Sequence, residues 1–258
     1  EVVRDWLHSA QEGLAMCGET EDRIYFTDKE ISDIRTFKRG VFVNRDVSAG
    51  EIVTREDVFY AFPCQEGQVL ANEMSKYTSY TTQVDLPKKG AVYHNRVNTS
   101  DLRKDIFDIR TAVRELVIKS KVVVPKDAPL EISHHYGVDT FYRIGLAMIT
   151  VVNEGYCKKL LVSLPEQTHP TQYHEKKTET FVVLYGEVHL YLDGKYQLLK
   201  VGEVVTIQPG VHHRFVAGDK GSVLEEISTT HFVDDSYYVD ESITNNKNRK
   251  TFVSYWME

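Results

Sequence analysis

The sequence predicts a mainly β protein made of two β domains joined by a helix, and three observations carry that expectation. From about residue 126 to the end, strand-prone runs recur about every 8 to 12 residues, which is the spacing of a sandwich or small barrel. Asp193-Gly194 falls between two alternating runs, and such a pair supplies the backbone freedom a tight hairpin needs. Hydrophobic residues make up 41% of the 258 and aromatics 11%, enough to fill packed cores and to exclude a largely disordered chain.

Taken in order, residues 1 to 17 read as a helix. Val2, Val3, Trp6, Leu7, Ala10, Leu14 and Cys17 repeat at helical spacing, and Gly18 follows as a C-cap. The helix begins at Glu1 with neither a cap nor an initiator Met, so the chain is expected to be a piece of a larger protein. From Lys29 the pattern turns to short strands, with Val41-Phe42-Val43 followed by a turn over Asp46–Glu51, then Ile52-Val53 and a capped turn over Thr54–Val58. Gln83–Val92 reads as strand, Lys/Gly turn, strand, and DVSAGEIV is weakly repeated as DLPKKGAVY. Asn98-Thr99-Ser100-Asp101 offers N-cap residues for a helix whose apolar stripe is Leu102, Ile106, Ile109, Val113 and Leu116. This helix is expected to pack between the two β domains and to end near Lys119, because Val122-Val123-Val124-Pro125 prefers an extended chain. The remaining strands are expected at Phe141–Gly145, Ala147–Asn153, Cys157–Leu164, Glu179–Tyr185, Glu187–Asp193, Tyr196–Leu199, Glu203–Ile207, His213–Ala217 and Ser222–Ser228. The expected divisions are 1–28, 29–97, 98–125 and 126–258.

Charge and cysteine usage exclude several classes. With 31 Lys+Arg against 38 Asp+Glu, a net charge of -7 and a pI near 5.8, the chain lacks the dominant basic surface that nucleic acid requires. No apolar run approaches the roughly 20 residues that span a bilayer, and the N-terminus lacks the apolar region of a signal peptide. Cys17, Cys64 and Cys157 fit no paired metal or redox spacing, so reduced thiols and a cytoplasmic location are expected.

The chemistry concentrates at His169-Pro170-Thr171-Gln172-Tyr173-His174-Glu175-Lys176-Lys177-Thr178-Glu179 and at Val211-His212-His213. On a strand, Gln172 and His174 face the same side; Glu179 would join from the next strand and His212 or His213 from one further on. Imidazole and carboxylate groups converging on an open position suit a divalent transition metal. The stretch resembles the two cupin motifs: His174, Glu179 and Gly186 fit the second half of the first, and Gly202, Pro209, Gly210 and His213 fit the second. Gln172 stands where the family has its first His, and His169 could substitute through a kink at Pro170. A cupin that keeps a sugar pocket, or only its shape, is the other reading of the same residues.

A wider resemblance reaches most of the chain. Lys38-Arg39-Gly40-Val41-Phe42-Val43-Asn44-Arg45-Asp46-Val47-Ser48-Ala49-Gly50-Glu51 resembles the start of the antifreeze-like (SAF) domain that ends sialic acid synthases. Glu131–Gly137 and Glu225–His231 resemble segments of the cupin appended to some bacterial members. The resemblance implies an SAF-type β-clip domain followed by a cupin (double-stranded β-helix, jelly-roll) barrel, with residues 1–28 the remnant of the family's catalytic barrel. It implies a parent enzyme that condenses phosphoenolpyruvate with N-acetylmannosamine or a related sugar. A barrel of that kind needs about 250 residues, so this chain alone is expected to be inactive as a synthase. The family likeness further implies a homodimer in which Arg39 binds the partner's sugar substrate, and a cupin that binds a metal, a sugar or a nonulosonic acid. Two alternatives stand beside it. The cupin also looks like the D-lyxose isomerase type, in which His174, Glu179 and His213 would hold the metal; or it serves oligomerisation alone. His134, His135, Tyr136, Glu225 and Glu226 are candidates for lining the cavity, with at most one of each adjacent pair able to face in. Phe232, Tyr237, Tyr238, Tyr255 and Trp256 could stack on a sugar or fill the core.

Overall fold

The computed structural model describes residues 2–18, 25–35, 37–232, 234–246 and 248–257. The chain divides into two units, Glu1–Asp101 and Leu102–Glu258.

The first unit opens with helices α1 (Val2–Met16) and α2 (Asp28–Arg35). The second of these occupies the region where the sequence suggested short strands. Thr27 closes its N-terminus: the Glu30 carboxylate accepts from the Thr27 amide at 2.8 Å, and the Glu30 amide donates to the Thr27 hydroxyl at 3.3 Å. Strands β1 (Gly40–Val43) and β3 (Val58–Ala61) pair, and β2 (Ile52–Val53), β4 (Thr78–Thr82) and β5 (Val97–Asp101) form a second small sheet. The polar run expected to cap a helix, Asn98–Asp101, is instead β5. It pairs with β4 on one side, and its largely exposed positions suit polar residues. Val41, Val43, Val69, Val92 and Tyr80 are among the buried side chains that fill the core between these strands.

The weak internal repeat has a structural cause. Val47 and Leu86 exchange backbone hydrogen bonds in both directions, at 2.9 and 2.8 Å. Asp46 accepts from the Lys88 amide at 2.7 Å and Asp85 accepts from the Ala49 amide at 2.8 Å. Each aspartate closes the other segment's turn three residues beyond its counterpart, so the two segments are related as a pseudo-two-fold pair rather than as a hairpin.

The second unit begins with α3 (Arg103–Ser120), ended by Lys121 in the left-handed region at φ 58°. Its buried face is Ile106, Ile109, Val113, Leu116 and Val117, and it packs on β8 (Tyr156–Ser163) and β13 (His213–Thr229). The remaining strands are β6 (Leu130–Ser133), β7 (Leu146–Asn153), β9 (Thr168–Tyr173), β10 (Glu179–Leu192), β11 (Lys195–Lys200), β12 (Val204–Ile207), β14 (Tyr237–Tyr238) and β15 (Lys250–Val253), with α4 (Glu241–Asn245) before the last. The main path of the antiparallel sheet runs β11-β10-β13-β8-β7-β6-β15; β12 adds to β10, and β9 bridges β13 and β14. Phe141–Gly145, expected as a strand, follows a short helical turn instead.

Two strands are longer than the sequence suggested. Glu179–Tyr185 and Glu187–Asp193 are one strand, β10, and likewise His213–Ala217 and Ser222–Ser228 are β13. Register shifts at Val183/Tyr185 and Gly186/Val188 bend the pair without ending it. Gly186, at φ 73°, lies so close to β13 that a Cβ there would sit 2.0 Å from the Gly221 carbonyl oxygen. Alternate residues of the bent strands, including Phe181, Val183, Val188, Leu190, Phe215 and Leu224, turn inward to form the barrel's core.

Candidate metal centre

Strand pairing brings the polar residues together inside this core. β9 and β13 run antiparallel with Gln172 opposite His213, and directly opposed side chains on one face touch. His174 follows Gln172 by two residues, and Glu179 opens β10 after the short connection. The amide nitrogen of Gln172 lies 3.4 Å from His174 Nε2 and 3.3 Å from His213 Nε2. Glu179 reaches both imidazoles, Oε1 at 3.3 Å from His174 Nε2 and Oε2 at 3.4 Å from His213 Nε2. One ligand atom from each of His174, Glu179 and His213 lies within 4.8 Å of the other two. All four residues are buried.

The hydrogen bonds outside this cluster fix what faces inward. His174 Nδ1 is bonded to the Asp235 carbonyl oxygen, and His213 Nδ1 to the Val211 carbonyl oxygen at 3.1 Å. A carbonyl only accepts, so each ring carries its proton on Nδ1 and presents a lone pair at Nε2. Glu179 Oε2 is buried without a hydrogen-bond partner. Two imidazole lone pairs and an orphaned carboxylate oxygen therefore meet at one buried point, a donor set that fits a divalent transition metal with its outer partners in place. Turning the Gln172 amide exchanges its nitrogen for its carbonyl oxygen, which gives the set a fourth donor.

A buried lysine completes the electrostatics. Lys177 Nζ pairs with Glu179 Oε1 and, at 3.0 Å, with Glu226 Oε1, and all three side chains are nearly inaccessible. Burial opposes the charge on Lys177, but Glu226 and Glu179 outweigh it and hold the ammonium above the usual lysine range. Burial likewise pushes the Glu179 carboxyl up, yet the Lys177 ammonium beside it holds it well below the usual carboxylate range. Burial pushes the His213 imidazole down despite the Glu179 charge beside it.

Asp235 secures the segment that carries His174. Beyond its carbonyl contact to the ring, its carboxylate accepts from the amides of Glu175 (3.0 Å), Lys176 (3.1 Å) and Lys177 (3.1 Å). Neither Lys177 nor Asp235 was singled out by the sequence: a lysine in a Lys-Lys-Thr run reads as solvated, and Asp235 lies some sixty residues from the loop it holds.

The other expected residues fall as follows. His169 lines the same cavity, but its ring stacks on Phe215 with centroids 4.9 Å apart, and it lies outside the ligand-distance group. His212 points away, beside Tyr173 and Asp193. Glu226 lines the cavity while Glu225 faces outward and pairs with Lys158 at 2.6 Å, as strand alternation requires. His134 and His135 are both buried, bonded to Thr251 and to the Tyr238 hydroxyl. Tyr136 is exposed on Asp240. Tyr238 borders the cavity, whereas Trp256 is buried with its indole nitrogen donating to the Ala128 carbonyl at 2.9 Å. Arg39 lies in the first unit, exposed, its guanidinium 6.0 Å from the Tyr60 ring centre. No helix among the described residues is long and apolar enough to cross a membrane.

Comparison with known proteins places this site in context. A family model described as cupin domain matches residues 160–225. A D-lyxose ketol-isomerase of Thermofilum sp. (strain ex4484_79) is 31% identical over 136 residues, covering 42% of this chain and 76% of that protein. A D-lyxose/D-mannose isomerase of Thermosediminibacter oceani is 29% identical over 156 residues, covering 49% of this chain and 86% of that protein. Among solved structures, an L-ribose isomerase of Cellulomonas parahominis with L-ribose is 14% identical over 55% of this chain and 94% of its own, at a TM-score of 0.47. A structure from Chromobacterium violaceum, named for spore coat polysaccharide biosynthesis protein E, is 41% identical over 37% of this chain and 28% of its own, at a TM-score of 0.32.

These findings correct the sialic acid synthase resemblance. The relatives are sugar isomerases, and the matching family model is the cupin alone. The SAF β-clip assignment and the synthase-module reading fall with it. The turn motif that carried the resemblance is explained locally: Asp46 and Asp85 are required by the reciprocal turn closure within the first unit. The isomerase-type cupin, held as the alternative, is the reading the relatives support. The chain belongs to the D-lyxose ketol-isomerase family.

Proposed function

We propose that residues 102–258 form a metal-dependent aldose–ketose isomerase acting on an aldose of the lyxose or mannose kind. The observation that carries this reading is the convergence of His174 Nε2, His213 Nε2 and Glu179 Oε2 on one buried point, in a cavity also lined by Glu226 and Lys177. The relatives' named activities support it. Interconverting an aldose and its 2-ketose moves a proton between C2 and C1 and another between the attached oxygens, with no net gain or loss of atoms. The residues that would hold the metal are His174, Glu179, His213 and Gln172; a divalent ion bound there supplies Lewis acidity to the two sugar oxygens.

The chain's own groups supply the rest. Glu226 is a carboxylate at the cavity wall with one oxygen tied to Lys177, and it serves as the base that takes the C2 proton and returns it to C1. Lys177, kept cationic between two carboxylates, holds Glu226 in place and offsets negative charge that builds on the sugar oxygens. Met148, Leu161, Phe181 and Phe215 wall the cavity with apolar surface and limit water near the reacting carbons.

The test is to load the chain with Mn²⁺ and follow D-lyxose and D-mannose by NMR in D₂O. Ketose formation with solvent deuterium entering the sugar is the expected result. Glu226→Gln should lower turnover by about 10²- to 10⁴-fold while Mn²⁺ still binds. Stoichiometric Mn²⁺ binding with no conversion of any pentose or hexose would refute the reading.

A further inference from the structure

The cavity holds more positive charge than a neutral sugar can use. Lys159, Lys177, Arg249 and Lys250 line it against Glu179 and Glu226, although the chain as a whole carries a net charge of -7. Two of these cations are already answered. Lys177 sits between Glu179 and Glu226, and Lys250 Nζ pairs with Glu131 at 2.6 Å. Arg249 is not, and Lys159 only at the limit of ion-pair distance. Lys159 is buried with its nearest carboxylate oxygen, on Glu226, at 4.0 Å, behind Lys177 at 3.0 Å on the same atom. Arg249 is half-buried with its guanidinium 5.1 Å from the Tyr238 ring centre, and among the described residues no carboxylate lies within ion-pair distance of it. The field of these charges is visible on a neighbour: burial first, then Lys159 and Lys177, push the cavity-lining His231 imidazole down to about 3.

A partly desolvated cation without a counter-charge is costly unless a ligand completes it. An aldose offers hydroxyls to a metal centre at its carbonyl end, but nothing of opposite charge to Arg249. We infer that the substrate is an aldose carrying an anionic group, phosphate or carboxylate, away from its carbonyl end, with Arg249 as the residue that selects it. The planar guanidinium presents paired donors that match either anion, and Lys159 adds to the attraction without direct pairing. This inference rests on the isomerase reading for the fate of the sugar, and on the charge inventory alone for the anion.

The experiment compares D-mannose, D-mannose 6-phosphate and D-mannuronate as substrates of the Mn²⁺-loaded chain. One anionic aldose is expected to exceed D-mannose in kcat/KM by about 10- to 100-fold, the span of one charge-assisted contact; which one does so distinguishes phosphate from carboxylate. Arg249→Gln should bring that ratio close to unity and Arg249→Lys should keep part of it, both with the wild-type melting temperature. D-mannose turned over as well as both anionic aldoses overturns the inference and leaves the isomerase reading standing. If no aldose is converted, the isomerase reading fails and calorimetry decides the anion site. Binding of D-mannose 6-phosphate or inorganic phosphate, weakened about tenfold or more by Arg249→Gln and not matched by D-mannose, sustains it; absence of such binding overturns it.

Discussion

Replacing Asp235 by Asn should loosen the metal centre without touching a ligand. The carboxylate spans three consecutive amides: Oδ1 accepts from Glu175 and Lys176 at 3.0 and 3.1 Å, and Oδ2 from Lys176 and Lys177 at 3.2 and 3.1 Å. An asparagine keeps one oxygen, so the amide of Lys177 loses its acceptor and meets a nitrogen donor instead. Converting charge-assisted bonds to neutral ones and orphaning one buried donor amounts to about 2–4 kcal/mol. That is a sizeable part of the roughly 5–15 kcal/mol that holds a typical domain together. The same loop carries His174, whose Nδ1 bonds the Asp235 carbonyl, so Mn²⁺ affinity should fall about 10- to 100-fold. The chain has two tryptophans, Trp6 and Trp256. In a Trp6→Phe background the buried Trp256 reports urea unfolding of the second unit, and calorimetry gives the Mn²⁺ Kd. Stability within about 0.5 kcal/mol of wild type, with an unchanged Kd, would show that the amide cradle neither holds the loop nor sets the ring.

Four further outcomes are expected. Burial, with Arg249 and His134 adding to it, pushes the His135 imidazole down to about 3. Below about pH 6.5 the unfolded chain takes up a proton that the folded one refuses, so stability is full above that pH and falls as pH drops, by about 2 kcal/mol at pH 5; His135→Asn should remove most of the difference in thermal melts between pH 7 and pH 5. Gly186→Ala, which must place a Cβ 2.0 Å from the Gly221 carbonyl oxygen at φ 73°, should cost about 3 kcal/mol or more. Gly155→Ala, with nothing within 4 Å of its Cβ, should stay within about 0.5 kcal/mol of wild type in the same urea titration. Gln172→His adds a third imidazole opposite His213 and should tighten metal binding about tenfold or more in competition with a chelator; weaker binding would mean that position 172 does not reach the ion.

The sequence disclosed the site better than the strands around it. Spacing by two, then five, then the Pro-Gly-x-x-His step is enough to gather Gln172, His174, Glu179 and His213, because strand alternation and the tight connection between β9 and β10 leave few other arrangements. Charge pairing across distant segments was not legible: nothing local marks Lys177 as buried, since its counter-charge Glu226 comes from another strand. Glycines at register shifts look like turns, so β10 and β13 each read as two strands. Asn98–Asp101 has the composition of a helix cap, yet as an exposed strand its side chains face water and polarity carries no objection to pairing. The synthase resemblance failed for a related reason. It leaned in part on turn residues, which answer to local backbone geometry.

The reciprocal closure in the first unit is symmetric in its bonds. Asp46 and Asp85 each complete the turn of the other segment, and Val47 and Leu86 pair both ways. A segment that satisfies a copy of itself in this manner needs no second, different sequence to do so. Two copies of either segment, docked about a two-fold axis, would present the same donors and acceptors to each other.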